Sequence, residues 1–424
     1  MAKLLTQWLC RVGSAKWVLV DQVWVSTLNF VTGIFLARFL GVEGYGQFIL
    51  SYSVVLYANT LQQALIIAPM LSIAPQLDAI ERTKYLGGMF SLQITISVIL
   101  SAAILLIGSV VGYFSHSWTA TFEIFPLSLS VLFFQLQDWL RRYYFISGKS
   151  IAAFCNDVIS YGGQVLALAI LFNMRVLTIR GAFWAIALTS AIAFLIGVVV
   201  EKLYPLRQQS LPAFQKSWKS SSNLLVAGQV NWLGSQGILV LSGFILGTQA
   251  LGGLRATQNI TGPFNILLQG MENFVPIKAA QKYTQGQFKG LTHFLIKISV
   301  FGGIALAIPS IGIAIFSKNL MVLAYGQEYA VYSNLIIWQL LICLMTFLYS
   351  QGFYFFRTID QTQQILFGSI IASSISITST LLLGQSLHSI GIMLSILLGQ
   401  FGYVLYFGMV ISKYSKRLTR DRIE

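Results

Sequence analysis

From Trp17 onward the sequence repeats one pattern: roughly twenty residues almost free of charge, then a short polar stretch carrying Lys or Arg. As a helix, a run of that length crosses the ~30 Å hydrocarbon core of a bilayer. Only 9% of the residues are Asp, Glu, Lys or Arg, whereas a water-wetted domain carries about 25%. Mean hydropathy is +0.74. In lipid each backbone N–H and C=O must be satisfied by the protein itself, which leaves helices or closed barrels. The two-residue alternation of a barrel strand is absent, so the expected fold class is all-α integral membrane.

The template predicts about twelve spans. They fall near residues 17–37, 46–71, 86–112, 120–140, 151–173 and 181–200, then 221–246, 251–277, 291–316, 330–355, 363–384 and 389–411. The most polar interior segment, Glu201 to Ser220, carries Pro205, Pro212 and four basic residues and reads as a linker. It divides the chain into a six-helix lobe at 1–208 and a second at 209–424.

Net charge is +14, which in a soluble chain would raise nucleic-acid binding. Here the basic residues sit in short connections, so orientation in a membrane is the better account and no nucleic-acid partner is expected. With the N-terminus placed in the cytoplasm, only Arg38, Arg175, Arg180, Arg255 and Lys318 fall on the opposite side, and Lys297 falls inside a span. That bias predicts cytoplasmic termini and an even number of spans. Cys10, Cys155 and Cys343 show neither disulfide nor metal-ligand spacing. The first apolar run is too long for a signal peptide and reads as the first span.

The two lobes carry hints of a parallel repeat. Phe39-Leu40-Gly41 with Gly46 is matched by Ile245-Leu246-Gly247 with Gly252. The third and ninth spans open with Gly88 and Gly290, and Pro69 and Pro276 lie at similar depth. Two parallel halves with a central substrate path form a transporter arrangement.

Polar stripes mark candidate cavity faces. In the eighth span Arg255, Gln258, Asn259, Asn265, Gln269, Glu272 and Asn273 fall on one face at helical spacing, with Pro263 placed to bend the helix. Ionised groups at that depth should face protein or water. The first span carries Gln22, Ser26 and Asn29, and the second Tyr52, Asn59 and Gln63. Such amides also join neighbouring helices by hydrogen bonds, and Asp138 with Arg142, four apart, suits a pair. Gly148-Lys149-Ser150 lacks the first glycine and the preceding strand of a phosphate-binding loop. No nucleophile–base pair or carboxylate dyad is evident, so the chain is not expected to be an enzyme.

The segment from Val20 to Phe30 (VDQVWVSTLNF), followed by Ala37-Arg38-Phe39-Leu40-Gly41 and Tyr45-Gly46-Gln47-Phe48, resembles the opening of a known family. So does Asp138-Trp139-Leu140-Arg141-Arg142-Tyr143. The family is the Wzx-type polysaccharide (O-antigen) flippases of the multidrug/oligosaccharidyl-lipid/polysaccharide exporter superfamily. The resemblance implies about twelve helices in two six-helix lobes around a central cavity. It implies flipping of a polyprenyl-diphosphate-linked oligosaccharide from the cytoplasmic to the outer face of a bacterial inner membrane, by alternating access, for surface polysaccharide synthesis. Arg142 would meet the diphosphate on the cytoplasmic side and Arg255 or Arg38 on the outer side, because guanidinium matches phosphate oxygens. No cofactor is implied beyond coupling to H+ or Na+, for which Glu272 and Asp21 are candidates. Membrane lipid surrounds the protein, and a polysaccharide polymerase and chain-length proteins are candidate partners. Two alternatives stand beside this reading. A cation-coupled multidrug or small-molecule antiporter of the same superfamily would need carboxylates deep in the cavity. A membrane glycan ligase or polymerase would need a long outer loop, which the short connections here do not supply.

Overall fold

The computed structural model describes the backbone of residues 2–114 and 123–420. Within these, side chains are described except at 2–15, 19, 112, 114, 219–220, 223, 265–267, 269–270, 272–274, 277 and 415–420. Among the described residues there are only helices and the turns that join them. Contacts group the chain into two units, Met1–Gln229 and Val230–Glu424.

The first unit holds α1 (Ala2–Gln62), α2 (Ala68–Ile73), α3 (Ala79–Phe114), α4 (Ile124–Ile146), α5 (Ser150–Asp157), α6 (Gly163–Asn173) and α7 (Ile179–Glu201), then most of α8 (Ser210–Trp232). The second holds α9 (Ile238–Leu246), α10 (Thr248–Ile260), α11 (Gly262–Ile315), α12 (Ser317–Tyr325), α13 (Leu335–Thr358) and α14 (Thr362–Arg420). Eight helical stretches among the described residues are long and apolar enough to cross a membrane. The longest helices break at single residues: α1 at Gly41, α11 at Gln287 and α14 at His388. α4 is also long enough to span, and carries Asp138, Arg141 and Arg142. Split at those breaks, and with α10 and the first part of α11 taken together, the helices resolve into the span pattern expected from hydropathy.

Backbone geometry carries the repeat that the sequence hints at. Gly41 has φ 71° and ψ 177°, and Gly247 has φ 88° and ψ 166°. That region is essentially closed to side chains, so the same glycine-only turn joins the first two spans of each unit. The packing also repeats: α4 lies against α3 and α7, and α13 lies against α11 and α14.

Helices in lipid gain little from hiding apolar surface from one another, because lipid tails are equally apolar; close packing and hydrogen bonds take over. Gly197 is an instance. A Cβ there would fall 2.3 Å from Leu140 Cδ2, so α7 and α4 meet as closely as they do only because this residue has no side chain. Around that contact Phe90, Trp139, Tyr144 and Phe194 form the core of the first unit, with Phe90 stacked on Trp139 at 4.6 Å. In the second unit Val275, Phe355, Phe356, Tyr403 and Phe407 do the same. Ile99, Leu106, Leu188, Leu195 and Val199 are exposed, as befits lipid-facing positions.

Two expectations change in detail. The segment Glu201 to Ser220 is not a free linker: Leu206 N donates to Gly87 O at 3.0 Å, and Tyr85 Oη lies 2.8 Å from Ser217 Oγ. Pro263 does not bend a continuous helix, because α10 ends at Ile260 and Pro263 sits in the first turn of α11, where its missing N–H costs nothing. At Pro69 the loss is compensated differently. A π-helical turn at Gln63–Ile67 precedes it, and the Leu65 carbonyl, four residues before the proline, accepts from Ser221 Oγ at 3.3 Å.

Candidate functional site

Each unit has its own polar interior, and the two differ in kind. In the first unit α4 supplies a row of buried polar residues, Gln135, Gln137, Asp138 and Arg141. Arg141 reaches α1 and α5 at once: its Nη2 lies 2.6 Å from Asp21 Oδ2 and its Nε 2.6 Å from Asp157 Oδ2. Asp21 and Asp157 have no exposed surface, and Arg141 is 6% exposed. Gln137 Nε2 donates to Asp157 Oδ1 at 2.7 Å and to Asn156 Oδ1 at 2.9 Å. Asn156 Nδ2 in turn donates to Ala193 O at 2.7 Å. A π-helical turn, Val158–Gly162, follows Asp157 directly; such turns shift the register of the side chains beyond them.

A second network ties α1 and α3 to α4. Gln62 Nε2 donates to Gln93 Oε1 and to Gln135 O, at 3.2 and 2.7 Å. Ser97 Oγ donates to Gln135 Oε1 at 3.0 Å. Nearby, Gln63 Nε2 donates to Asp138 Oδ2 at 3.1 Å, and Arg142 Nε lies 3.5 Å from Asp138 Oδ1. These side chains bond mainly to one another, with Asp21 Oδ1, Gln135 Nε2 and Gln137 Oε1 left without a hydrogen-bond partner among the described residues.

The second unit encloses a cavity of about 620 Å³, within the 300–1,000 Å³ range of small-molecule sites. The end of α8 and the π-helical turn Leu233–Gly237 contribute Asn231, Gly234, Ser235 and Gln236. α10 adds Gln258 and α11 Leu268. One stripe of α13 lines the cavity along its length, from Ile342 through Thr346, Tyr349, Ser350, Phe353 and Tyr354 to Arg357. α14 closes it with Ser373, Ser376, Ile396, Gly399, Gln400 and Tyr403. Among the described residues the lining holds no carboxylate, and its one charged side chain is Arg357, exposed in the last turn of α13.

The geometry inside suits a hydroxylated ligand. Tyr349 stacks on Tyr403 with centroids 4.7 Å apart and planes at 18°, and Tyr403 Oη donates to Asn231 Oδ1 at 3.4 Å. Thr346 and Ser350 donate to carbonyls one turn back on their own helix, at 2.9 and 2.7 Å, so their oxygens still have lone pairs to offer. Gln400 Oε1 has no hydrogen-bond partner among the described residues. Two glycines keep the walls close. A Cβ on Gly234 would fall 2.2 Å from Ser373 Oγ, and one on Gly399 1.8 Å from Ser376 Oγ.

The residues picked from sequence divide as follows. Gln258 lines the cavity, and Arg255 Nη1 donates to it at 3.3 Å from outside the lining. Asn259 is half-buried and does not line it. Asn265, Gln269 and Glu272 lie outside the described residues as far as their side chains are concerned. Gln22 is half-buried and donates to Ser26 Oγ at 3.3 Å, and Asn59 Nδ2 donates to Gln62 Oε1 at 3.5 Å. Asn29 and Arg38 are exposed. Gln63 and Arg142 meet at Asp138, and Asp21 is bound by Arg141. Sequence reasoning counted Arg141 among the basic residues flanking a span and passed over most of the cavity lining. The signal it missed was the α13 stripe, where hydroxyls and rings recur every three or four residues.

No known family model matches the chain. The lipopolysaccharide biosynthesis protein WzxC of Escherichia coli (strain K12) is 21% identical over an alignment covering 89% of this chain and 79% of its own length. Among solved structures, an inward-facing multidrug resistance transporter of the MATE family superposes with a TM-score of 0.73. It is 15% identical, with 92% of this chain and 96% of that one covered. The lipid II flippase MurJ, in an inward closed conformation, gives 0.72 at 14% identity, covering 93% and 87%. The chain therefore has the transporter fold of the multidrug/oligosaccharidyl-lipid/polysaccharide exporter superfamily, and in sequence it resembles the Wzx-type polysaccharide flippases.

Proposed function

We propose that this protein is a flippase that carries a polyprenyl-diphosphate-linked oligosaccharide across the bacterial inner membrane, from the cytoplasmic to the outer face, by alternating access. One observation carries the reading: the second-unit cavity offers amides, hydroxyls and two stacked tyrosines, with a guanidinium as the one charged group among the described residues of its lining. Sugars present hydroxyls to amides and C–H faces to aromatic rings, and a diphosphate pairs with guanidinium. The Wzx-type relative and the lipid II flippase likeness agree with that chemistry. The bias of Lys and Arg supports cytoplasmic termini, which puts Arg357 at the cytoplasmic end of α13, where the diphosphate would enter.

Among the described residues the lining offers no carboxylate to a cationic drug, which speaks against a cationic-drug antiporter. The buried Asp21, Asp157 and Asp138 of the first unit each pair with Arg141 or Arg142, so none stands ready for a drug cation. Coupling to H+ or Na+ at Asp21 belongs to the proposal, and requires the ion to take the place of Arg141 during the cycle. The test is deletion of the gene. Undecaprenyl-linked oligosaccharide should accumulate on the cytoplasmic face while surface glycan disappears, and plasmid-borne wild type should restore it. Normal surface glycan with lost drug efflux would sink the flippase reading in favour of the antiporter.

A further inference from the structure

A second recess in the second unit lies apart from the cavity. α11 breaks at Gln287 (φ 47°, ψ −141°), and the two arms of the break come together at Gly290, where a Cβ would fall 2.6 Å from Lys282 O. Between the arms opens a groove of about 610 Å³ that shares no lining residue with the cavity. One arm contributes Lys282, Gln285 and Gly286. The other contributes a stripe at helical spacing, beginning with Gly290 and His293 and continuing through Phe294, Lys297, Ile298 and Phe301. Lys282 therefore sits beside the break, and Lys297 lies farther along among Phe294, Ile298 and Phe301.

Lys297 makes this recess more than a surface feature. It lies ten positions beyond the break, about 15 Å along a helix, well inside the segment Lys278–Ile315 that is apolar enough to span a membrane. Its ammonium lies 5.9 Å from the centroid of Phe301, and Lys282 Nζ donates to Gln285 Oε1 at 3.2 Å. Among the described residues neither lysine has a carboxylate within ion-pair distance, and no acidic side chain lines the groove. A cation at this depth calls for a counter-charge, and no carboxylate among the described residues lies close enough to supply it.

We propose that the groove binds an anionic phospholipid of the surrounding leaflet, its phosphate held by Lys282 and Lys297 and one acyl chain laid along Phe294, Ile298 and Phe301. The charge pattern selects this occupant. An amphiphile with a negative head and an apolar tail complements a groove that sets two lysines among aromatic and aliphatic side chains, with no carboxylate among the described residues of its lining. Basic recesses between membrane helices recognise anionic head groups in this way. The groove is independent of the cavity's substrate, since the two share no lining residue.

Native mass spectrometry of the purified full-length protein, exchanged into detergent with phosphatidylglycerol or phosphatidylethanolamine, tests it. Wild type should retain phosphatidylglycerol in preference to phosphatidylethanolamine. Lys282→Gln and Lys297→Gln should each weaken retention about fivefold, and Lys282→Arg with Lys297→Arg should restore it, which separates lost charge from lost fold. The pair Lys278→Gln and Lys289→Gln, near the break but outside the groove lining, should change retention by less than about twofold. Equal retention of both lipids by wild type, or an equal loss in the Lys278/Lys289 control, would overturn the proposal. So would displacement of the phospholipid by polyprenyl diphosphate alone, which would make the groove a substrate site.

Discussion

The fourth span of each unit packs against two neighbouring helices and carries a row of polar side chains, yet the two spans put those side chains to opposite uses. On α4 the polar side chains find partners on α1, α3 and α5: Arg141 with Asp21 and Asp157, Gln135 with Ser97, Asp138 with Gln63. On α13 the hydroxyls of Thr346 and Ser350 bond, among the described residues, to their own helix, and Tyr349 and Arg357 line the cavity. The difference teaches that polar content inside a membrane does not by itself mark a site. Polarity that is mutually satisfied holds helices together; polarity left facing open space is what can recognise a ligand.

The largest effect should come from breaking the satisfied network. Arg141→Leu leaves Asp21 and Asp157 buried without a counter-charge, and removing one partner of a buried ion pair costs about 3–5 kcal/mol. Thermal unfolding followed by size-exclusion in detergent should show a large fall in stability or loss of folded protein. The triple change Arg141→Leu, Asp21→Asn and Asp157→Asn should recover much of it, since no uncompensated charge remains. A stable Arg141→Leu single variant would mean the network does not hold the unit together, and the comparison would fail on its first side.

The other side is broken at Arg357. Arg357→Gln should leave thermal stability close to wild type, because the side chain is exposed at the end of α13. Export should nevertheless fall roughly tenfold or more, in line with about 1.5–3 kcal/mol for a charged hydrogen bond. Export is read as surface glycan at matched protein level. If stability falls and export per folded molecule does not, Arg357 is structural and the cavity loses its phosphate group. Tyr349→Leu is the milder counterpart. It keeps apolar bulk but removes the ring stacked on Tyr403, so export should fall by about 0.5–1.5 kcal/mol, a few-fold, with the fold intact.

Hydropathy alone exposed the spans, because chain length and bilayer thickness leave few choices. The parallel repeat was visible at Gly41 and Gly247, because a glycine-only turn needs a particular residue. The Asp138–Arg142 pair was visible in its four-residue spacing, but the pairs of Arg141 were not, because Asp21 and Arg141 lie 120 positions apart and nothing local requires either to meet the other. The eighth-span stripe was drawn on a continuous helix, but the chain breaks between α10 and α11 at Thr261 (φ −87°, ψ 5°), and past a break the helical phase no longer holds. The α13 stripe was overlooked for a chemical reason. Thr and Ser are tolerated in membrane helices because their hydroxyls can bond to the preceding turn, and Tyr is an apolar ring with a polar tip, so by composition such a helix reads as an ordinary span.

The smallest effect sharpens the comparison from outside the membrane interior. Lys149 Nζ donates to Glu201 Oε2 between the connection before α5 and the end of α7. That hydrogen bond, the largest of the contributions, raises the Lys149 ammonium above its ordinary pKa of 10.5. A raised basic group contributes stability below its unfolded pKa and loses it as pH climbs through the folded value, so this contribution is constant from neutral pH up to about pH 10. The Lys149 side chain is half exposed, and water and salt screen it. Lys149→Met should therefore change stability by under about 1 kcal/mol, and the difference from wild type should vanish in strongly alkaline buffer. Arg141→Leu should cost several times more, though both variants remove one cation from a close ion pair. If the two losses were equal, burial would not be what distinguishes the ties of α4, and counting ion pairs would serve as well as locating them.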